Sequence, residues 1–81
     1  MKQFSDEQGR AWVATAAIED TPRHHGRWYM VFEPAANTAQ KIPVPEIRWQ
    51  TAATAARTIR TMSDVELRRR LKSALVRYDE A

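Results

Sequence analysis

The sequence predicts a small α+β domain: an antiparallel sheet of 3–4 strands, followed by one C-terminal amphipathic helix packed on one face. An apolar run at 28–32, rich in aromatic and β-branched side chains, suits a central strand. Turn residues separate the predicted strands in the first half of the chain. A capped segment with helical apolar spacing lies at its C-terminal end. The 81 residues suit a single domain over 1–81. We expect the sheet over 1–49, an irregular or partner-ordered connection over 50–61, and the helix over 62–79.

A hairpin is predicted at the start of the chain. A strand near residues 2–5 is followed by Asp6, whose side chain can cap a turn, and by Gly9, which can adopt positive φ. Residues 10–18 then alternate as a second strand. Their many alanines favour a helix as the competing interpretation, because alanine is a strong helix former. Turn residues on both sides favour the strand.

The predicted central strand spans residues 27–33 and follows a polar loop over 19–26. Large apolar side chains fall on both of its faces: Trp28, Met30 and Phe32 on one, and Tyr29 and Val31 on the other. The helix covers one face. We expect loops of this chain or a partner to cover the second.

A last short strand is predicted over residues 40–44, with Ile47 and Trp49 continuing the apolar alternation. Pro43 and Pro45 cannot donate to the ladder, so this strand is expected to lie at a sheet edge or to be only partly paired. Residues 50–61 have no strong period and few bulky side chains. A short helix, a strand near Ile59 and a partner-ordered loop all remain open for this segment.

The C-terminal helix is defined by its cap and by its apolar stripe. Ser63 and Glu66 have capping-box spacing, with Met62 and Leu67 at hydrophobic-staple positions. The apolar stripe is Leu67, Leu71, Ala74, Leu75 and Tyr78. Two ion pairs at i,i+4 spacing are expected, Asp64–Arg68 and Glu66–Arg70.

The sequence shows no catalytic constellation, and we expect a protein that is not an enzyme and has no cofactor. His24 and His25 are the candidate metal or acid–base pair, which a small metal-dependent enzyme would require. Adjacent residues in extended backbone point in opposite directions, and no cysteine adds a ligand. Ser63 is explained as a helix cap, and the paired carboxylates fall in turns or at the terminus.

Composition points to a cytoplasmic protein. No apolar run is long enough to span a bilayer, and residues 1–7 lack the apolar core of a signal peptide, so a cytoplasmic location is expected. The net charge is +3 and the pI about 9.8, which suits an acidic protein, an anionic lipid surface or nucleic acid. An ordinary solvated basic face is the alternative interpretation.

The candidate partner-binding residues are basic or aromatic, the types that dominate interface energetics and anion recognition. They are Trp49, Arg57, Arg60, Arg68, Arg69, Arg70, Lys72 and Arg77. Nucleic acid is the less favoured partner, because no helix-turn-helix or RNA-stacking motif accompanies them. The alternative function is a free cytoplasmic basic binding module for protein or nucleic acid.

Four short motifs resemble a family of short bacterial proteins of unassigned function. They are F-S-D-E-Q-G-R-A-W over residues 4–12, G-R-W-Y-M-V-F over 26–32, V-P at 44–45 with Trp49, and S-D-V-E-L over 63–67 with Leu71. Residues 50–61 look like an insertion relative to this pattern.

The chain is also similar to a small membrane-extrinsic subunit of a bacterial photosystem. That resemblance implies a structural subunit without catalytic residues. It would brace a type-II reaction centre inside its light-harvesting ring, on the cytoplasmic face of the photosynthetic membrane. The implied partners are reaction-centre and antenna polypeptides, with the anionic lipid surface as a further contact.

Overall fold

The computed structural model describes residues 1–19, 27–37 and 39–80. The elements, in chain order, are β1 (Lys2–Ser5), β2 (Ala11–Glu19), β3 (Arg27–Pro34), β4 (Ile42–Trp49), α1 (Ala52–Thr61) and α2 (Asp64–Glu80). The four strands form one sheet in the order β1-β2-β3-β4, and every neighbouring pair is antiparallel. The α+β class and the antiparallel sheet are confirmed. Two helices follow the sheet where the sequence predicts one.

The strand interpretation of residues 10–18 is confirmed, because β2 pairs with β3 from Trp12↔Pro34 to Glu19↔Arg27. Packing explains why β2 contains so many alanines. Ala14 pairs with Phe32 and Ala16 with Met30, so a small side chain lies beside each large one on the inner face of the sheet.

The hydrophobic core lies between one face of the sheet and both helices. Phe4 and Phe32 meet edge to face, with ring centroids 5.6 Å apart. The buried core side chains are Phe4, Trp12, Ala14, Met30, Phe32, Ile42 and Val44 from the sheet, with Ile59, Leu67, Leu71 and Ala74 from the helices. Helix α1 packs over β2, β3 and β4, whereas α2 contacts the two edge strands β1 and β4.

The opposite face of β3 is apolar at its centre, as predicted, but no described element packs over it. Val31 is only 2% exposed, and its register partners are Thr15 and Pro43. Ion pairs flank this centre, Glu19 with Arg48 towards one end and Glu33 with Lys41 towards the other. Among the described residues, Thr15 and Pro43 flank Val31 on the neighbouring strands.

Strand β4 contains a bulge that keeps its apolar residues on the core side. Met30 pairs with Val44 while Tyr29 pairs with Arg48, so residues 45–47 have no partner on β3. Ile47 and Trp49 pack against the core after the bulge, although their positions are out of phase with Val44. The predicted edge location of the two prolines is confirmed, because β4 is an edge strand.

The expectation of an irregular connection over 50–61 is corrected, because α1 spans most of this segment. Thr51 caps it, with the Thr54 amide donating to Thr51 Oγ1 over 3.1 Å. Only Ala55 and Ile59, one turn apart, are buried. The other positions are small or polar and are largely exposed. The segment has few bulky apolar side chains, so the sequence left the helix as one of three open interpretations.

Helix α2 begins as predicted and buries the predicted stripe in part. The Glu66 amide donates to Ser63 Oγ over 3.1 Å, which is one half of the capping box. Leu67, Leu71 and Ala74 are buried and Leu75 is half-buried, while Tyr78 is 45% exposed.

One of the two predicted helical ion pairs forms. Arg70 donates to Glu66 over 2.8 Å. Asp64 instead lies 3.8 Å from the Lys2 ammonium, and Arg68 donates to the backbone carbonyl of Ser5 over 2.7 Å. The start of α2 is therefore tied to β1 by polar contacts.

Replacing Ile59 by alanine tests the docking of α1. We expect Ile59→Ala to lower the free energy of unfolding by about 2–5 kcal/mol, because it removes a fully buried aliphatic side chain. The control is Arg60→Ala, which removes an exposed neighbour and should change stability by less than about 0.5 kcal/mol. Urea denaturation followed by circular dichroism measures both. Equal, small effects would mean that α1 is not part of the core.

Candidate partner-binding surface

The positive charge of this protein resides in its helical half. Residues 1–50 contain six basic and six acidic side chains and are formally neutral. Residues 51–81 contain seven basic and four acidic side chains, which accounts for the whole net charge of +3. The two helices therefore make up an electropositive layer on a neutral sheet.

Most of the described basic side chains of the sheet half are neutralised by an acidic neighbour. Lys2 pairs with Asp64, Arg10 with Asp6, Lys41 with Glu33, and Arg48 with Glu19. These contacts leave few cations of the sheet available for an anionic partner.

The eight predicted partner-binding residues fall into three groups in the structure. Arg57 and Arg60 on α1, and Arg69 and Lys72 on α2, are exposed and form no ion pair among the described residues. Arg68, Arg70 and Arg77 are engaged by Ser5, Glu66 and Glu46 respectively. Trp49 is half-buried against the core. Four of the predicted basic residues are therefore free cations, meaning that they form no ion pair among the described residues. The other three are held by contacts within the fold.

A cleft of about 340 Å³ lies between α2 and the bulge of β4. It is lined by Val44, Glu46, Glu66, Arg69, Arg70, Ser73 and Arg77. The hydrogen bond from Arg77 lowers the pKa of the Glu46 carboxyl against the opposing effect of burial, and the same bond raises the pKa of Arg77. The bulge therefore presents Glu46 to α2 and fixes Arg77 through a contact between residues distant in sequence.

The first motif of the resemblance, residues 4–12, forms a hairpin whose turn is stabilised by the side chain of Asp6. The Asp6 carboxylate accepts from the Trp12 indole N–H over 3.0 Å and from the backbone amides of Gln8 and Arg10 over 2.9 Å each. Gly9 has φ of +83°, a conformation that side chains disfavour. The Arg10 guanidinium lies 6.0 Å from the centroid of the Trp12 ring.

These contacts lower the pKa of Asp6, chiefly through the indole hydrogen bond, with contributions from the two amides and from Arg10. The predicted hairpin turn, with its Asp6 cap and glycine at positive φ, is confirmed. That Asp6 also accepts a hydrogen bond from the indole N–H of Trp12 was not predicted. The Asp6-to-Trp12 spacing within a predicted hairpin is the signal that could have indicated it.

Within the described residues, no group of three His, Asp or Glu side chains is placed to hold a metal ion. The predicted polar loop and the His24–His25 pair lie outside the residues that the structure describes. Ser63 lies at the start of α2 as its cap. None of the described helices has the length and apolar character needed to cross a bilayer.

Comparison of the chain with family models, with curated proteins and with solved structures finds no match. The fold and the surface therefore define the protein only as a class. It is a four-stranded antiparallel sheet that carries an electropositive layer of two helices on one face.

The hydrogen bonds that Asp6 accepts predict a pH-dependent stability difference between the natural protein and Asp6→Asn. Because the folded state lowers the pKa of Asp6, its ionisation stabilises the fold above the usual carboxyl pKa of 3.8. This contribution is lost as the pH falls from that value through the lowered folded pKa. Asp6→Asn should therefore be less stable than the natural protein at pH 7, and the two should converge once the pH falls below the lowered folded pKa of Asp6.

Thermal unfolding between pH 2 and pH 7 measures this difference. Glu7→Gln is the control, because it removes the adjacent exposed carboxylate, and its midpoint should follow that of the natural protein. A gap between Asp6→Asn and the natural protein that stays constant over the whole pH range would contradict an ionised Asp6 as the acceptor.

Proposed function

We propose that this protein is a non-enzymatic structural subunit that attaches to a membrane protein complex through the outer surface of its two helices. The observation that carries this proposal is the concentration of the net charge in the helical half, with four exposed cations that form no ion pair among the described residues. Such a surface steers and orients an acidic partner.

The membrane setting supplies a second source of attraction. An anionic cytoplasmic leaflet attracts nearby basic side chains by about 1 kcal/mol each. Arg57, Arg60, Arg69 and Lys72 together offer several such contacts without breaking an ion pair of the described structure. The protein would therefore be retained beside the membrane while specific contacts with protein subunits fix its position.

The particular complex is proposed from the sequence resemblance. The partners are the polypeptides of a type-II photosynthetic reaction centre and its light-harvesting ring, on the cytoplasmic side of the membrane. The protein would be peripheral and would brace the two assemblies. A small chain with a neutral sheet and a charged helical layer supports such a bracing role.

Recovery from native membranes tests this function. Tagged protein mixed with solubilised native membranes should coelute with pigment–protein complexes, at an apparent mass far above its own 9.4 kDa. Arg57→Glu should weaken this association roughly tenfold, because it reverses a free cation of the helical layer. Arg27→Glu is the matched control, since it makes the same charge change at an exposed position of β3 and should change the affinity less than about twofold.

Recovery only as a monomer, with no pigment–protein complex, would refute the proposal. Binding to DNA or RNA that weakens steeply with salt would instead support the free basic binding module.

A further inference from the structure

The outward face of α2 carries an exposed stripe that the core does not use. Val65, Arg69, Lys72 and Val76 recur at i, i+4, i+7 and i+11, and all four are exposed. They lie opposite the buried stripe of Leu67, Leu71 and Ala74. Val65 is 62% exposed and Val76 is 54% exposed.

The centre of this stripe is positively charged and the ends are apolar. Arg69 and Lys72 form no ion pair among the described residues, whereas the neighbouring Arg70 is paired with Glu66. The stripe therefore presents two valines about 16 Å apart along the helix axis, with two free cations between them.

A helix packed along α2 contacts positions spaced four, three and four residues apart, and in this stripe the two end positions are apolar and the two central ones are charged. A helix lying along α2 would bring one apolar side chain to each valine and acidic side chains to Arg69 and Lys72. The long aliphatic parts of Arg69 and Lys72 would add apolar contact along the seam. An acidic amphipathic helix complements both the charge and the spacing of this face.

Other occupants fit less well. A second copy of this chain would bring Arg69 and Lys72 against their own counterparts, where like charges repel. Lipid-inserting helices use bulky Trp, Phe and Leu on a broad apolar face, which two valines do not provide. A nucleic acid offers phosphates for the cations but nothing apolar for the ends of the stripe.

We propose that the stripe formed by Val65, Arg69, Lys72 and Val76 is the docking seam for an acidic amphipathic helix of a partner protein. This inference rests on the proposed structural function and names the chemistry of the partner. The valines supply the apolar ends of the contact, and Arg69 and Lys72 supply its charge and register.

The test compares substitutions at the ends of the seam with a substitution elsewhere. Val65→Ser combined with Val76→Ser should weaken association with solubilised native membrane complexes about tenfold. Serine and valine have similar helix propensities, so α2 should remain folded, and circular dichroism verifies this. Ile18→Ser is the matched control, because it replaces an exposed aliphatic residue of β2 and should leave the affinity unchanged within about twofold.

Photo-crosslinking identifies the occupant. A photoreactive amino acid at position 76 should link to a partner segment with acidic residues and apolar residues at a spacing of three and four. The same group at position 3, on β1, should not link to that segment. Links confined to lipid, or valine-dependent binding to protein-free phosphatidylglycerol vesicles, would overturn the helix seam.

The two proposals fail in different ways. If Arg57→Glu weakens association while the double valine variant does not, the seam on α2 is wrong and the structural function stands. If the natural protein associates with no membrane complex at all, both are wrong.

Discussion

The packing of one face of β3 against the two helices is the interaction on which the rest of this structure depends. Met30 and Phe32 are fully buried, and they share the core with Ile59 of α1 and Leu67 of α2. Each such side chain contributes about 1.5–3 kcal/mol when it leaves water. A chain of 81 residues has room for little more than one core of this kind, so the positions of both helices follow from it.

This core also determines where the charges lie. No charged or polar residue is buried among those that the structure describes. The helices contact the sheet through their apolar residues, which leaves Arg57, Arg60, Arg69 and Lys72 on the outer surface. The same segments that complete the core therefore form the electropositive layer. A single-layer sheet without helices would offer no comparable surface.

The spacing of the first motif has a structural explanation. Asp6 holds the indole of Trp12 and two backbone amides, while Gly9 supplies the positive φ that the turn requires. The bulge of β4 has a similar role at the other edge, because it turns Glu46 towards Arg77. The Asp6 contacts hold the β1–β2 hairpin, and the bulge of β4 holds α2. The first motif therefore carries information about the fold more than about the partner.

Local sequence signals determined the four strands, the edge prolines, the capped start of α2 and its buried leucines, because each depends on neighbouring residues. Tertiary structure decided the rest. Helix α1 was one of three open interpretations of its segment, and the docking of Ile59 into the core stabilises it. Which arginines remain free also depended on distant contacts, since Asp64 pairs with Lys2, Arg68 with Ser5 and Arg77 with Glu46. The sequence alone identifies the cations, and only the folded chain distinguishes those that form no ion pair among the described residues from those that hold the fold.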